Sequence, residues 1–392
     1  MPHWDTSDKG AGCYVHLPFC DRICPYCDFA VVEFKAERVL RYLNALHAEL
    51  ERADIPPGGV QTIYLGGGTP SALSAEQINT LLAALFQRFG LAPGSIECTL
   101  EANPSRNSVD LSAYREAGIT RLSVGVQSFE DQELHRLGRT HSAAEAERYI
   151  KEARRAGHDN IGLDLIAGVP GQSADNFRRT LRRALSCEPG HVSVYALTIE
   201  QGTPYATWFQ KDSKAFPDDD AMAEQLENAH DLLTAAGLEH YELSNFAKPG
   251  FECAHNIGYW RQRDCLALGM SACGYRDGAR TRNARSYEAY CAAIEAGQSA
   301  TEDTETLAWP ERVGEAAMLA LRTAEGIVDQ DFRDRFGVDP PLIFAAARKK
   351  CCEAGLLEVD GSGARLTPRG RLLANSVCTE FLHPFFPAPA GL

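Results

Sequence analysis

Short apolar runs alternate with longer stretches of helical period through the first two-thirds of the chain. "CYVHLP" (Cys13 to Pro18), "TIYLG" (Thr62 to Gly66), "IECTLEA" (Ile96 to Ala102), "RLSVGV" (Arg121 to Val126), "IGLDLI" (Ile161 to Ile166) and "VSVYAL" (Val192 to Leu197) predict six strands. Residues 36–52, 74–89 and 143–156 predict helices between them. "SAEQ" at Ser74 to Gln77 is a capping box, and "EAGIT" and "RAGHDN" place a glycine where a helix C-terminal cap belongs. Six strand–helix repeats require parallel strands joined by crossover helices, hence an open sheet or a barrel.

From about Ala300 the pattern changes. "TETLAWPERVGEAAMLALRT", "DQDFRDRFG" and "PLIFAAARKKCCEAGLLEV" predict helices, followed by a polar hairpin, "EVDGSGARLTPRG", and a last helix, "RGRLLANSV". Helices followed by a hairpin predict a winged-helix module. The expected domains are 1–298 and 299–392. The tail "HPFFPAPAGL" is proline-rich and expected to fray.

The unusual residues sit just after strands: "CDRICPYC" after the first, "GGGTP" the second, "EANP" the third, "GVQSF" the fourth and "DLIAGVPGQ" the fifth. In parallel barrels the chemistry sits at the carboxyl ends of the strands. Five strands aiming polar or glycine-rich segments at one face predict a single site.

Composition narrows the class. Hydrophobic residues make up 44% of 392, enough for a full core. A net charge of −14 argues against a nucleic-acid partner, and "RKK" at Arg348 to Lys350 is too short to argue otherwise. The start "MPHWDTSDKG" is polar and no run of roughly 18 apolar residues occurs, so neither a signal peptide nor a membrane span is expected and a cytoplasmic location is. In that compartment the 13 cysteines stay reduced, and grouped thiols bind metal or do chemistry rather than staple the fold.

Cys20, Cys24 and Cys27 fall within eight residues. Zinc takes four ligands, usually as two separated pairs or with histidines. A short loop can instead give three thiolates to one face of a four-iron cluster that normally takes four. The fourth iron is then open to a small molecule. The competing readings are a zinc knot with a remote fourth ligand, or incidental cysteines. Cys13, Cys98, Cys187, Cys291, Cys351, Cys352 and Cys378 read as packing residues.

Around the triad, the glycines of "GGGTPS" allow close backbone approach to a ligand, or merely make a tight connection. Glu101 ends the third strand, where it accepts from a ligand or caps a helix. Gln127 suits a ligand hydrogen bond or a satisfied amide inside the barrel. Arg139 offers a fork for a carboxylate, or a surface ion pair. Asp164 lies between apolar neighbours, where an unpartnered carboxylate is costly.

CxxxCxxC with these neighbours resembles the radical S-adenosylmethionine enzymes. "YVHLPFC", "CPYCDF", "YLGGGTPS", "EANP", "GVQSF", "GRTH", "DLIAGVPGQ" and "YELSNFAKPG" resemble the oxygen-independent coproporphyrinogen oxidase group over about nine-tenths of the chain. The resemblance implies a partial (β/α)6 radical-SAM barrel with a small C-terminal winged-helix-like domain. It implies a [4Fe-4S] cluster on Cys20, Cys24 and Cys27, with S-adenosyl-L-methionine on its open iron. It carries S-adenosylmethionine contacts onto Tyr14, Tyr26, Gly67, Gly68, Thr69, Glu101, Gln127, Arg139, Asp164 and Ala196.

Within the group, true coproporphyrinogen dehydrogenases carry a further cysteine two residues after the triad and a longer segment before it. Here that position is Phe29, and Cys20 is reached almost at once. Both features resemble the heme chaperone HemW family, as does "HNIGYW", His255 to Trp260. The resemblance implies a heme element: His255 as iron ligand, Tyr259 and Trp260 stacked on the macrocycle. Read without it, these are a core histidine and packing aromatics. The family's glycine-rich turn holds a histidine where this chain has Cys273; a thiolate also ligates heme iron, or the site has drifted. Cys253 and Cys265 flank the region, with packing the plainer reading.

The resemblance thus implies a chaperone that passes heme to acceptor hemoproteins, respiratory membrane proteins among them, with a homodimer in prospect. The alternatives are anaerobic oxidative decarboxylation of coproporphyrinogen III, against which Phe29 counts, and a radical enzyme acting on tRNA, against which the charge counts.

Overall fold

The structure is a computed structural model that describes residues 10–104 and 110–385. Six parallel strands form its centre: β1 (Ala11–Leu17), β2 (Val60–Gly67), β3 (Glu97–Ala102), β4 (Arg121–Gln127), β5 (Asn160–Ala167) and β6 (His191–Ala196), hydrogen-bonded in that order. Helices Ala36–Arg52, Ala75–Phe89 and Ala143–Arg155 lie between them in sequence, as the periodicity predicts, and Ala174–Ser186 joins β5 to β6. The capping box at Ser74 and Gln77 is formed, and Gly118 and Gly157 end their helices at positive φ.

Alternation within each strand builds two faces. One carries Val15, Leu17, Ile63, Leu65, Leu100, Leu122, Val124, Leu163, Leu165 and Val192, all buried in the main core. The other is polar or glycine: Gly12, Tyr14 and His16 on β1, Thr62 and Tyr64 on β2, Glu97 and Glu101 on β3, Arg121 and Ser123 on β4, Gly162 and Asp164 on β5, His191 and Ser193 on β6. Contacts among these residues, such as Tyr64 Oη to Glu101 and Ser123 Oγ to Asp164, show that they share the inside of the curved sheet.

The sheet extends further than six repeats. On one side are β7 (Glu239–Glu242) and β8 (Asn245–Ala247). On the other, β9 (Cys265–Leu268) runs parallel beside β1, and β10 (Cys273–Arg276), β11 (Ala279–Asn283) and β12 (Thr301–Thr306) continue antiparallel. The start of "TETLAWP", expected as helix, is the end of β12, and this strand lies past the boundary expected at 298. It is fully exposed and has no apolar pattern to announce it. Cross-strand charge forms it: Arg280 opposes Glu305, and Arg282 opposes Asp303.

A second core begins at Val313 and includes Leu321, Phe332, Phe344 and Phe381. Helices Trp309–Leu321, Asp329–Phe336 and Ala345–Glu353 pack on a small antiparallel sheet of Ile327–Val328, Gly363–Leu366 and Leu357–Val359, a winged-helix arrangement. The expected last helix is divided at Leu373 into Pro368–Leu372 and Ala374–Glu380. Of the tail, residues 386–392 lie outside the described part. No described helix is long and apolar enough to cross a membrane.

Candidate cofactor site

The cysteine loop is held at both ends and along its length. Phe19–Cys20 pairs with Val32–Glu33 in a two-residue parallel ladder that closes it. Three loop carbonyls are then taken by three separate elements. The Tyr205 N–H donates to Pro25 at 3.1 Å, Arg285 to Asp28 at 2.8 Å, and His16 Nε2 to Ala30 at 2.8 Å. His16 is neutral, because burial lowers its pKa, so its Nδ1 is free to accept from Tyr14 Oη at 3.1 Å. These bonds fix the backbone of an irregular segment before any ligand arrives.

The three thiols line one cavity of about 400 Å³ at the carboxyl ends of the strands. Burial pushes the Cys20 thiol up to about 11 and also raises Cys27. Both therefore stay protonated at neutral pH until a cation displaces the proton. Hydrogen-bond donors are already in place. Thr69 Oγ1 lies 3.5 Å from Cys20 Sγ, and Arg139 Nη1 lies 3.7 Å from Cys24 Sγ. Asn103 joins these donors, giving Nδ2–H to Thr69 Oγ1 at 2.9 Å and accepting Arg139 Nη2 on Oδ1 at 2.5 Å.

Opposite the thiols stand two carboxyls. Glu101 accepts from Tyr64 Oη at 2.9 Å and from the Gly67 N–H at 3.0 Å; burial, with Asp164 nearby, pushes it up to about 7. Burial also raises Asp164, which accepts from Ser123 Oγ. A cationic ligand would relieve both. Gln127 ends β4 at φ +68°, an uncommon backbone for a side chain of this size, where the β4–β5 register shifts. Gly67 has φ +113°, and a Cβ there would lie 2.5 Å from the His16 ring.

Among the described residues, no three His, Cys, Asp or Glu side chains converge as ligands of one metal ion. A cubane, whose cysteines reach separate irons, suits three thiols that line one cavity. Arg139 adds a buried Nε without a partner among the described residues. The donor set and the polar wall fit an iron–sulfur cluster with a small ligand that carries both charges.

Of the residues assigned by resemblance, Tyr26, Gly67, Gly68, Thr69, Glu101, Gln127, Arg139, Asp164 and Ala196 line this cavity with the triad. Tyr14 does not: level with Tyr64 in the sheet, its ring stacks on Tyr64 with centroids 6.2 Å apart and its hydroxyl meets His16 Nδ1 at 3.1 Å. Asn103, Ser123 and Tyr64 line it without having been singled out. Phe29 stands at its wall, 66% exposed.

"HNIGYW" is elsewhere. It forms the helix Ala254–Trp260 under the opposite, N-terminal ends of the strands. The Glu97 carboxylate accepts the Ala254 and His255 N–H groups at 3.0 Å each. The His255 ring is buried, with Nδ1 on Thr62 Oγ1 at 2.8 Å and Nε2 on Tyr259 Oη at 3.0 Å. Burial lowers its pKa to about 3. Both nitrogens are engaged, and the adjoining cavity of about 140 Å³ is far below the roughly 300 Å³ at which pockets take drug-sized ligands. The expected axial ligand is a satisfied core histidine here. Nor do the aromatics make one slot. Tyr259 faces His255, while Trp260 lies under Arg322 of the second domain, 5.1 Å from the ring centroid. Cys253 and Cys265 are buried; Cys273 and Cys352 are exposed, the latter against the packing role expected for it.

Residues 14–184 match the Radical SAM superfamily and 308–373 the HemN C-terminal domain. The fold is similar to that of coproporphyrinogen III oxidase (HemN) from Escherichia coli, a radical SAM enzyme, with a TM-score of 0.83 at 24% identity over 95% of this chain and 90% of that one. Proteins named heme chaperone HemW are similar throughout. The Bacillus subtilis protein is 36% identical over 94% of this chain and 98% of its own. The Mycobacterium tuberculosis protein is 37% identical over 95% and 94%. Identity of this order over nearly the whole of both chains makes this protein a member of the heme chaperone HemW family.

Proposed function

We propose that the chain binds a [4Fe-4S] cluster through Cys20, Cys24 and Cys27, holds S-adenosylmethionine beside it, and carries heme to an acceptor hemoprotein. The observation that carries the cofactor half is the anchored three-thiol loop facing Glu101 and Asp164 across one cavity. Bound there, the cluster would supply an electron to the sulfonium. The chain's own residues orient and charge-match the ligand. Glu101 and Asp164 suit its ammonium and ribose hydroxyls, Arg139 its carboxylate, and the glycine segment its methionine end. The heme half is supported by family membership. In this arrangement it does not rest on His255 as ligand. Acceptors that are respiratory membrane proteins, a homodimer and a cytoplasmic location belong to the same proposal.

The test is anaerobic reconstitution followed by heme titration at the Soret band, with an assay for coproporphyrinogen decarboxylation. Expected are a full cluster complement, lost in a variant with all three cysteines replaced by Ala, stoichiometric heme binding and no decarboxylation. Full iron and sulfide in the triple variant would refute the cluster assignment. Decarboxylation without stable heme binding would refute the chaperone.

A further inference from the structure

We infer that His255 is a positioning residue for the cofactor cavity, acting through Tyr64 on Glu101, rather than a ligand to iron. The inference rests on the proposal that S-adenosylmethionine occupies that cavity. Inward side chains form layers from floor to mouth. The His255 ring, fixed by Thr62 and Tyr259, packs on the Tyr64 ring with centroids 5.2 Å apart and planes 31° apart. Tyr64 in turn places its hydroxyl 2.9 Å from Glu101 Oε1, and Glu101 lines the cavity.

Three further features support this. Gly12 makes room for the ring: a Cβ there would lie 2.9 Å from His255 Cε1. Glu97 and Glu101, four residues apart on β3, tie the helix below and the cavity above to one strand. The Tyr14 ring also packs on Tyr64, with centroids 6.2 Å apart. Tyr64 is thus held by two rings with its hydroxyl on Glu101. Removing the lower ring frees it to tilt away from Glu101.

The experiment uses the anaerobically reconstituted full chain and S-adenosylmethionine itself, with affinity read by equilibrium dialysis. His255→Ala and Tyr64→Phe should each weaken binding roughly tenfold, the scale typical of groups that orient a ligand-holding residue. The double variant should bind no more weakly than the weaker single, because both break one link. His255→Phe keeps a ring under Tyr64 and should restore binding to within about threefold of the parent. It also guards against a His255→Ala chain that does not fold. A ring needed only for general packing would give additive losses. The heme titration of His255→Phe should match the parent's. Unchanged S-adenosylmethionine affinity in His255→Ala, an additive double variant, or loss of the Soret band in His255→Phe overturns the inference while leaving the cofactor proposal standing. A parent that holds no S-adenosylmethionine overturns that proposal, and the inference with it.

Discussion

Glu101→Gln should make the cluster-free protein more stable at pH 8 and less stable at pH 3.5. Glu101 accepts two hydrogen bonds but is pushed from 4.5 to about 7, first by burial and then by Asp164. A carboxyl raised in the folded state favours folding fully below its unfolded pKa. That contribution fades as pH climbs from about 4.5 to about 7. The size of the rise corresponds to about 3 kcal/mol once the group is ionised, an upper value because solvent reaches the cavity wall. A glutamine carries no charge, so it escapes this cost at every pH. It retains one acceptor oxygen of two, which costs about 1 kcal/mol throughout. The difference curve therefore changes sign: the variant is less stable by about 1 kcal/mol at pH 3.5, nearly equal at pH 5, and more stable by about 2 kcal/mol at pH 8. Urea unfolding of cluster-free parent and variant at matched pH measures it. Glu242, also pushed up to about 7 by burial, is common to both chains and cancels. A pH-independent difference, or a variant less stable at pH 8, would refute the claim that Glu101 is held at a cost in the cluster-free protein.

Gly67→Ala meets both a φ of +113° and the His16 ring. It should cost roughly 2–4 kcal/mol in urea unfolding and lower iron uptake on reconstitution, since His16 also anchors Ala30 of the cysteine loop. Asp329→Ala leaves Arg348 buried without its carboxylate in the second core. It should destabilise that domain by about 3–5 kcal/mol, seen as trypsin cleavage C-terminal to Leu307 while the barrel resists.

The central strands and their helices were legible because each apolar position follows the period of its element. The site was legible as well, because five strand tips ending in polar segments have one geometric solution. Three things were not. β12 has no apolar residue, and its register is set by Arg280 and Arg282, charges on another strand. Asn103 acts through Thr69 and Arg139, which lie 34 residues before and 36 after it in sequence. Its only local mark was a place beside Glu101. Tyr14 sits on the inward face as its alternation demands, level with Tyr64, but the spacing of polar residues did not show that its hydroxyl turns to His16. The alternation in "TIYLG" and "RLSVGV" was itself a signal that the inside of this sheet is polar.

That polarity accounts for "HNIGYW". A barrel whose inward positions were all aliphatic would close on itself. Here Gly12 and Gly162 leave gaps, and Arg121 is buried with Nε and Nη1 unpartnered among the described residues. Such an interior is expensive unless something fills the floor and satisfies the lower polar layer. The helix carrying His255 fills the floor with a ring over Gly12 and partners Thr62 and Glu97 of that layer, though not Arg121. A short motif can therefore have a structural place in the barrel it closes. Its residues are specified by the polar barrel they close, and their reach into the chemistry runs upward through Tyr64.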